Sequence, residues 1–187
     1  MSSLEIVERG IEFTSQRLPI ESQWLGSLPG AGNHALYRNF LWFLARELPS
    51  PKVMIELGTD TAVTTAHMAD GKNPDDSVIS VDIDVSRIHI RRHPTTFVMS
   101  DSIQFLRSYS GSRVSLFFLD TNHTYERVSA EFRLAKELLV TDGIVCVDDI
   151  HLHEGMERFW EEVQERKMDV SELHTQLGVG FGVILPL

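Results

Sequence analysis

Val53-Met54-Ile55-Glu56-Leu57-Gly58-Thr59-Asp60-Thr61-Ala62 carries the pattern on which the fold turns: a run that reads as a buried strand, a glycine that ends it, and a hand-over to helical spacing. The helix is predicted from about Thr61 to Ala69, with Gly71 stopping it. A strand buried along most of its length and followed by a helix is the building unit of parallel sheets, whose two faces must both be covered.

Working outward, the same alternation recurs. Strands are predicted at Val78 to Ile83, Thr96 to Met99, Val114 to Leu119 and Ile144 to Val147. Helices are predicted around Ile103, Phe105 and Leu106, from Tyr125 to Val140, and from Met156 to Lys167. In the Tyr125 helix, Val128, Phe132, Ala135, Leu138 and Leu139 repeat at helical spacing, with Glu126, Arg127, Glu131, Arg133 and Glu137 mostly opposite. Upstream, Asn33 is placed to cap a helix from His34 to about Leu48, with Leu36, Phe40, Phe43 and Leu44 on one face and Pro49 ending it. The tail breaks the alternation: Val170 to Gln176 and Phe181 to Leu185 flank Gly178 and Gly180 and read as an antiparallel hairpin. The fold expected is α/β, Rossmann-like and doubly wound: seven mostly parallel strands closed by a C-terminal antiparallel hairpin, in three α/β/α layers. Residues 33–187 form this domain; residues 1–32 form a helical or extended segment suited to a cap or a dimer contact.

The totals agree with one domain. The chain has 187 residues, 42% hydrophobic and 24% charged, long enough to bury one core and short for two. A net charge of -10 opposes a nucleic-acid partner through long-range repulsion. Cys146 is the only cysteine, so no disulfide can form within the chain, and a reducing compartment is expected. No secretory or membrane-spanning pattern is read, so the expected location is the cytoplasm, away from membranes. Ile11, Phe13, Leu18, Ile20, Trp24 and Leu25 have no clear place in the sheet and make a homodimer plausible.

In an open parallel sheet, ligands bind at the carboxyl ends of the strands. Glu56, Asp82, Asp84, Asp101, Asp120, Asp148 and Asp149 all lie at or just past predicted strand ends. Such an edge favours a cation, a hydroxyl-rich ligand or a metal, while each acid taken singly is equally at home as a helix cap or turn residue. Asp82, ending the second strand, is positioned to accept from both ribose hydroxyls of a nucleoside, with Asp84 as second choice. The first loop has only Gly58, not the glycine set of a dinucleotide site, and no Gly-Lys-Ser or Gly-Lys-Thr phosphate loop occurs.

From Asn33 onward the chain resembles the class I S-adenosylmethionine-dependent methyltransferases. Glu56-Leu57-Gly58-Thr59 resembles the cofactor motif of the catechol O-methyltransferase group, and Asp101-Ser102 the adenine-side motif after the third strand. Phe118-Leu119-Asp120-Thr121-Asn122-His123-Thr124-Tyr125-Glu126, with Gly143 to Ile150, is similar to the small macrolide-sugar O-methyltransferase and cephalosporin-hydroxylase-like group. The resemblance implies S-adenosylmethionine held by Glu56, Gly58, Thr59, Thr64, Asp82, Asp101, Ser102 and Asp120. It also implies a divalent cation, magnesium in the metal-dependent members, on Asp120, Asp148 and Asp149. His123, three residues after Asp120, stands where relatives carry a basic residue and is the expected general base toward a small-molecule methyl acceptor. This chain differs at Thr121-Asn122, where relatives often have Gly-Asp or Gly-Ser, and at Ala62, where they have a second glycine. Two other readings stay open: an S-adenosylmethionine-binding accessory protein without transferase activity, and a softer ion drawn to His151 and His153 beside the acid pair.

Overall fold

The computed structural model describes residues 1–15, 36–89, 94–174 and 178–186. Within them the chain runs α1 (Ser3–Ser15), α2 (Leu36–Glu47), β1 (Val53–Leu57), α3 (Val63–Gly71), β2 (Ser77–Asp82), β3 (Thr96–Met99), α4 (Ser102–Ser108), β4 (Val114–Leu119), α5 (Tyr125–Leu138), β5 (Leu139–Asp148), α6 (Glu154–Glu162), β6 (Arg166–Asp169) and β7 (Phe181–Leu185). The strands form one sheet in the order β3-β2-β1-β4-β5-β7-β6. β1 to β5 pair in parallel, and β7 runs antiparallel to both β5 and β6. The order reverses between β1 and β4, which opens a crevice at their carboxyl ends.

The period-two geometry of the strands sorts the core into two layers. Leu116 and Phe118 of β4 and Ile144 and Cys146 of β5 face one layer, packed with Ile6, Val7, Phe40, Leu44 and Met68 from α1, α2 and α3. Phe117, Leu119, Val145 and Val147 face the other, with Leu106, Val128, Phe132, Phe159 and Trp160 from α4, α5 and α6. Each fully buried phenylalanine here contributes about 1.5–3 kcal/mol of transfer free energy. Cys146 is a free thiol kept protonated by this apolar burial. No described helix is long and apolar enough to cross a membrane.

Several boundaries differ from the sequence reading. The outer strand of the hairpin is β6 at Arg166–Asp169, not Val170 to Gln176: α6 stops at Glu162, and the Asp169 carboxylate accepts from the Ser171 N–H at 3.0 Å, turning the chain into a 3₁₀ turn at Ser171–Leu173. Residues 175–177 lie outside the described residues. α5 ends at Leu138 rather than Val140, because Leu139 already pairs with Val114, and β5 runs through Gly143 to Asp148. α3 begins at Val63, after Ala62 takes a left-handed conformation. The capping position at Asn33, and Leu18, Ile20, Trp24 and Leu25, lie outside the described residues. The described part of the N-terminal segment, α1, packs on α2: Gly10 lies so close to the Phe40 and Phe43 rings that a Cβ there would sit 2.8–3.0 Å from them.

Candidate active site

Gly58 closes β1 at the crevice. Its φ is +98°, and a Cβ built there would lie 1.8 Å from the Asp120 carbonyl oxygen, so no side chain fits. The loop after β1 is thereby pressed against the end of β4, with the Gly58 N–H bonded to Val81 O and the Asp120 N–H to Leu57 O, both at 2.8 Å.

Glu56, one turn of the pleat earlier, is buried under this loop. Thr65 Oγ1 donates to its Oε2, as does Ser80 Oγ at 2.5 Å. Burial pushes its carboxyl up to about 8 in spite of these donors, with the nearby Asp120 adding to the rise. Thr65 touches the acid, and Thr64, expected to hold the cofactor, is buried on the cavity wall. Asp82 Oδ2 accepts from the backbone N–H groups of Thr59 (2.8 Å) and Asp60 (3.0 Å), and its Oδ1 from that of Asp84 (3.0 Å). The carboxylate read as a ribose grip thus also fixes the first loop. Asp84 caps the 3₁₀ turn at Val85–Arg87 through the Ser86 N–H.

On the far side, Asp101 is the N-cap of α4, accepting from the Gln104 N–H at 3.0 Å, and Arg127 of α5 reaches its Oδ2 at 2.7 Å. Those two contacts hold its carboxyl below the usual range. Ser102 donates to Glu131, and so does Thr121 Oγ1, at 3.0 Å to each oxygen. Glu131 is only 1% exposed, and burial raises its carboxyl. A single buried acid on α5 therefore ties the ends of β3 and β4 together. Its position was legible: Val128, Glu131, Phe132 and Ala135 form one i, i+3, i+4, i+7 stripe, all buried.

The third group gathers past β4 and β5. His123 Nε2 lies 3.3 Å from Asp120 Oδ1 and 3.7 Å from Asp149 Oδ2. His174 Nε2 lies 3.5 Å from Asp148 Oδ1 and 3.9 Å from Asp149 Oδ1. Burial and then the charge of Asp149 push the Asp120 carboxyl well up; burial, Asp120 and Asp149 do the same to Asp148. Asp148 is 5% exposed and its Oδ1 accepts no hydrogen bond. The ligand atoms within 4.8 Å of one another are those of Asp148, Asp149 and His174; Asp120 stands beside them, joined through His123 and Asp149. His151, read as a possible ligand, is instead bonded to Asp169 at 2.7 Å, and His153 caps α6. His174, missed in the sequence, lies in the non-periodic stretch before β7, where nothing local marks it.

Backbone strain concentrates here. Among the described residues, every one with positive φ lies at this edge: Gly58, Asp60, Ala62, His123, Asp149, Gly178 and Gly180. Four of these are not glycine, and such conformations persist where the surroundings enforce them, often at binding sites. A cavity of about 630 Å³ opens over the first two groups, lined by Glu56, Gly58, Thr59, Thr64, Asp82, Asp101, Ser102 and Asp120 among others. Six carboxylates and three guanidinium groups line it in all; Arg87 pairs with Asp60 at 2.9 Å and Arg127 with Asp101. Arg38 of α2 also reaches the wall, a contribution from outside the strand ends that the sequence did not signal. All eight residues expected to hold a cofactor thus border one cavity, while His123, Asp148 and Asp149 lie beyond its Asp120 wall.

The family described as a methyltransferase domain matches residues 55–150. No curated protein sequence matches significantly. Among solved structures, the chain is similar to the O-methyltransferase TomG from Streptomyces achromogenes, involved in tomaymycin synthesis and in complex with SAM, at TM-score 0.68 and 17% identity over 100% of both chains. It is similar to an O-methyltransferase from Bacillus cereus in complex with SAH at TM-score 0.65 and 14% identity, over 97% of this chain and 90% of that one. It is also similar to an SAH-bound methyltransferase from Podospora anserina, at TM-score 0.62 and 15% identity over 97% and 88%. At these identities the likeness is one of fold.

Proposed function

The chain belongs to the methyltransferase-domain family, and on that premise we propose that it transfers a methyl group from S-adenosylmethionine to a hydroxyl of a small molecule. The observation that carries the reading is the acidic cavity at the switch point, with Gly58 pressed on Asp120 and Glu56 buried at its base. S-adenosylmethionine is a cation at sulfur, carries an ammonium group and presents two ribose hydroxyls, which are the features an acid-rich wall accepts. Two of the similar structures named above are O-methyltransferases, one with SAM and one with SAH, which supports the choice of cofactor and of oxygen as acceptor. The acidic edge favours a small acceptor over nucleic acid.

His123 is the proposed base. Its Nε2 accepts no hydrogen bond and donates none, and Asp120 at 3.3 Å is placed to stabilise the imidazolium once a proton arrives. S-adenosylmethionine, when bound, would supply a methyl group on a sulfonium sulfur that leaves as a neutral thioether when the acceptor oxygen takes the methyl, and His123 would take the acceptor's hydroxyl proton. Asp120, Asp148 and Asp149 would hold a divalent cation, a reading supported by the unsatisfied Asp148 oxygen and by the three carboxylates together, where burial and then mutual crowding push the Asp120 and Asp148 carboxyls up. Such an ion, when bound, lowers the acceptor hydroxyl's pKa.

Calorimetric titration with S-adenosylmethionine, with and without magnesium, tests the reading, followed by an acceptor screen on the wild type and H123A. Binding near micromolar is expected, with transfer reduced by about 10²- to 10⁴-fold in H123A. Absence of cofactor binding would remove the proposal. Binding with no transfer to any acceptor would favour an accessory protein.

A further inference from the structure

β3 and β4 are not neighbours in the sheet: β2 and β1 lie between them, so their carboxyl ends stand about 14 Å apart at ordinary strand spacing. The loops that follow them nevertheless converge on one group. Ser102, past the end of β3, and Thr121, past the end of β4, both donate to the Glu131 carboxylate, and both line the cofactor cavity. Arg127, one turn earlier on α5, straps the β3 side a second time, donating to Asp101 Oδ2 at 2.7 Å and to Ser102 Oγ at 3.1 Å. Asp101 and Arg127 belong to the cavity lining as well, whereas Glu131 stands behind it.

The place Glu131 occupies is one where packing calls for something else. Its neighbours on the stripe, Val128, Phe132 and Ala135, are apolar and buried in the core layer, so a leucine there would continue that layer. Burial raises the Glu131 carboxyl, even though Ser102, Thr121 and the charge of Arg127 all act to lower it. An acid at this point therefore costs stability relative to an apolar side chain. What it supplies in return is a pair of acceptor oxygens that the two sides of the cavity share.

We infer that Glu131 is a positioning residue for the cofactor: by holding Ser102 and Thr121 together it sets the separation between the two sides of the cavity into which S-adenosylmethionine fits. It acts through those two side chains and not by touching the cofactor. The inference rests on the proposed S-adenosylmethionine site and adds to it a residue from behind its wall.

Calorimetric titration of the full chain with S-adenosylhomocysteine tests this on the wild type, E131L, E131Q and T121V. E131L fills the stripe with an apolar side chain and removes both acceptors. Its affinity should fall at least about tenfold while its urea midpoint stays at or above that of the wild type. Glutamine keeps an oxygen where both hydroxyls already reach Oε1, so E131Q should bind within about twofold of the wild type. T121V cuts one of the two ties and should weaken binding about threefold, with no further loss when added to E131L. A role in packing alone would instead lower the midpoint of E131L and leave its affinity unchanged. Wild-type affinity in E131L, an E131Q that binds no better than E131L, or additive losses in the double variant would each overturn the inference. Should E131L fail to fold by circular dichroism, T121V carries the test, and unchanged affinity in T121V overturns it. If the wild type binds no S-adenosylhomocysteine, the proposed function fails and this inference with it; if the wild type and E131L bind equally, this inference fails alone. Affinity that depends on Glu131 without transfer to any acceptor removes the transferase reading alone.

Discussion

The two edges of the sheet treat buried charge in opposite ways. At the amino edge, Lys52 precedes β1 and Asp76 precedes β2; their side chains meet at 2.6 Å, both fully buried. Lys52 Nζ also donates to Leu48 O at 2.9 Å, and Asp76 accepts from the N–H groups of Lys52 and Asn73 at 3.1 and 2.8 Å. At the carboxyl edge, Asp120, Asp148 and Asp149 crowd one another, one buried oxygen goes without a donor, and the backbone bends through left-handed conformations. One edge has its charges matched by the chain itself. The other pairs Asp60 and Asp101 with arginines but packs Asp120, Asp148 and Asp149 against one another and leaves one Asp148 oxygen without a donor, which is the arrangement expected where structure has been given over to binding.

The sharpest way to break the contrast is to spoil the matched edge. Lys52→Ala leaves Asp76 buried without its counter-charge and should destabilise the fold by about 3–5 kcal/mol in urea unfolding. Cofactor affinity of the folded fraction should stay at the wild-type value; a loss of only a few tenths of a kcal/mol would mean that the edge is not matched as described.

A smaller effect, about 1.4 kcal/mol per pH unit at most, belongs to Glu56. Its folded value of about 8 lies above the ordinary 4.5, so the folded chain holds a proton that the unfolded chain releases between those values. Stability from this group is complete below pH 4.5 and is lost as pH rises through about 8. A cationic cofactor prefers the ionised form, so its affinity should rise up to tenfold per unit as pH climbs toward 8 and then level off. Calorimetry and thermal melts across pH 6–9 on the wild type and E56Q check both slopes, which E56Q should flatten.

Smallest of all, Asp148→Asn relieves like-charge crowding and supplies a donor where none exists, and should stabilise the ligand-free chain by about 0.5–1 kcal/mol. It should also weaken binding of the divalent cation proposed for these acids. Destabilisation instead would mean that the carboxyl edge is matched internally after all.

What the sequence revealed of these edges depended on range. Strand ends were readable because an apolar run that stops at an acid is a local signal: Asp82 and Asp148 close β2 and β5, Asp120 follows β4, and Glu56 is the next-to-last residue of β1. At Glu131 residue type and position conflict: its charge suggests the polar side, while its spacing puts it on the buried stripe with Val128, Phe132 and Ala135. His174, Arg38 and Thr65 owe their places to α2, α3 and the path into β7, and no periodicity in their own segments announces those contacts. β6 was misplaced for a related reason: a four-residue strand of Arg-Lys-Met-Asp has neither length nor alternation enough to stand against an adjoining helix.

The insertion of β7 between β5 and β6 has a bearing on how the molecule comes into being. Among the described residues β6 pairs only with β7, and β7, synthesised after it, is the strand that joins it to the rest. During synthesis, then, β6 waits in solution for a strand that does not yet exist, while β1 to β5 can already pair. The segment bearing His174 and Gly180 reaches Asp148 and Asp149 only when that last strand slots in. A chain interrupted before β7 therefore holds the scaffold of a cavity without the brace behind its acids.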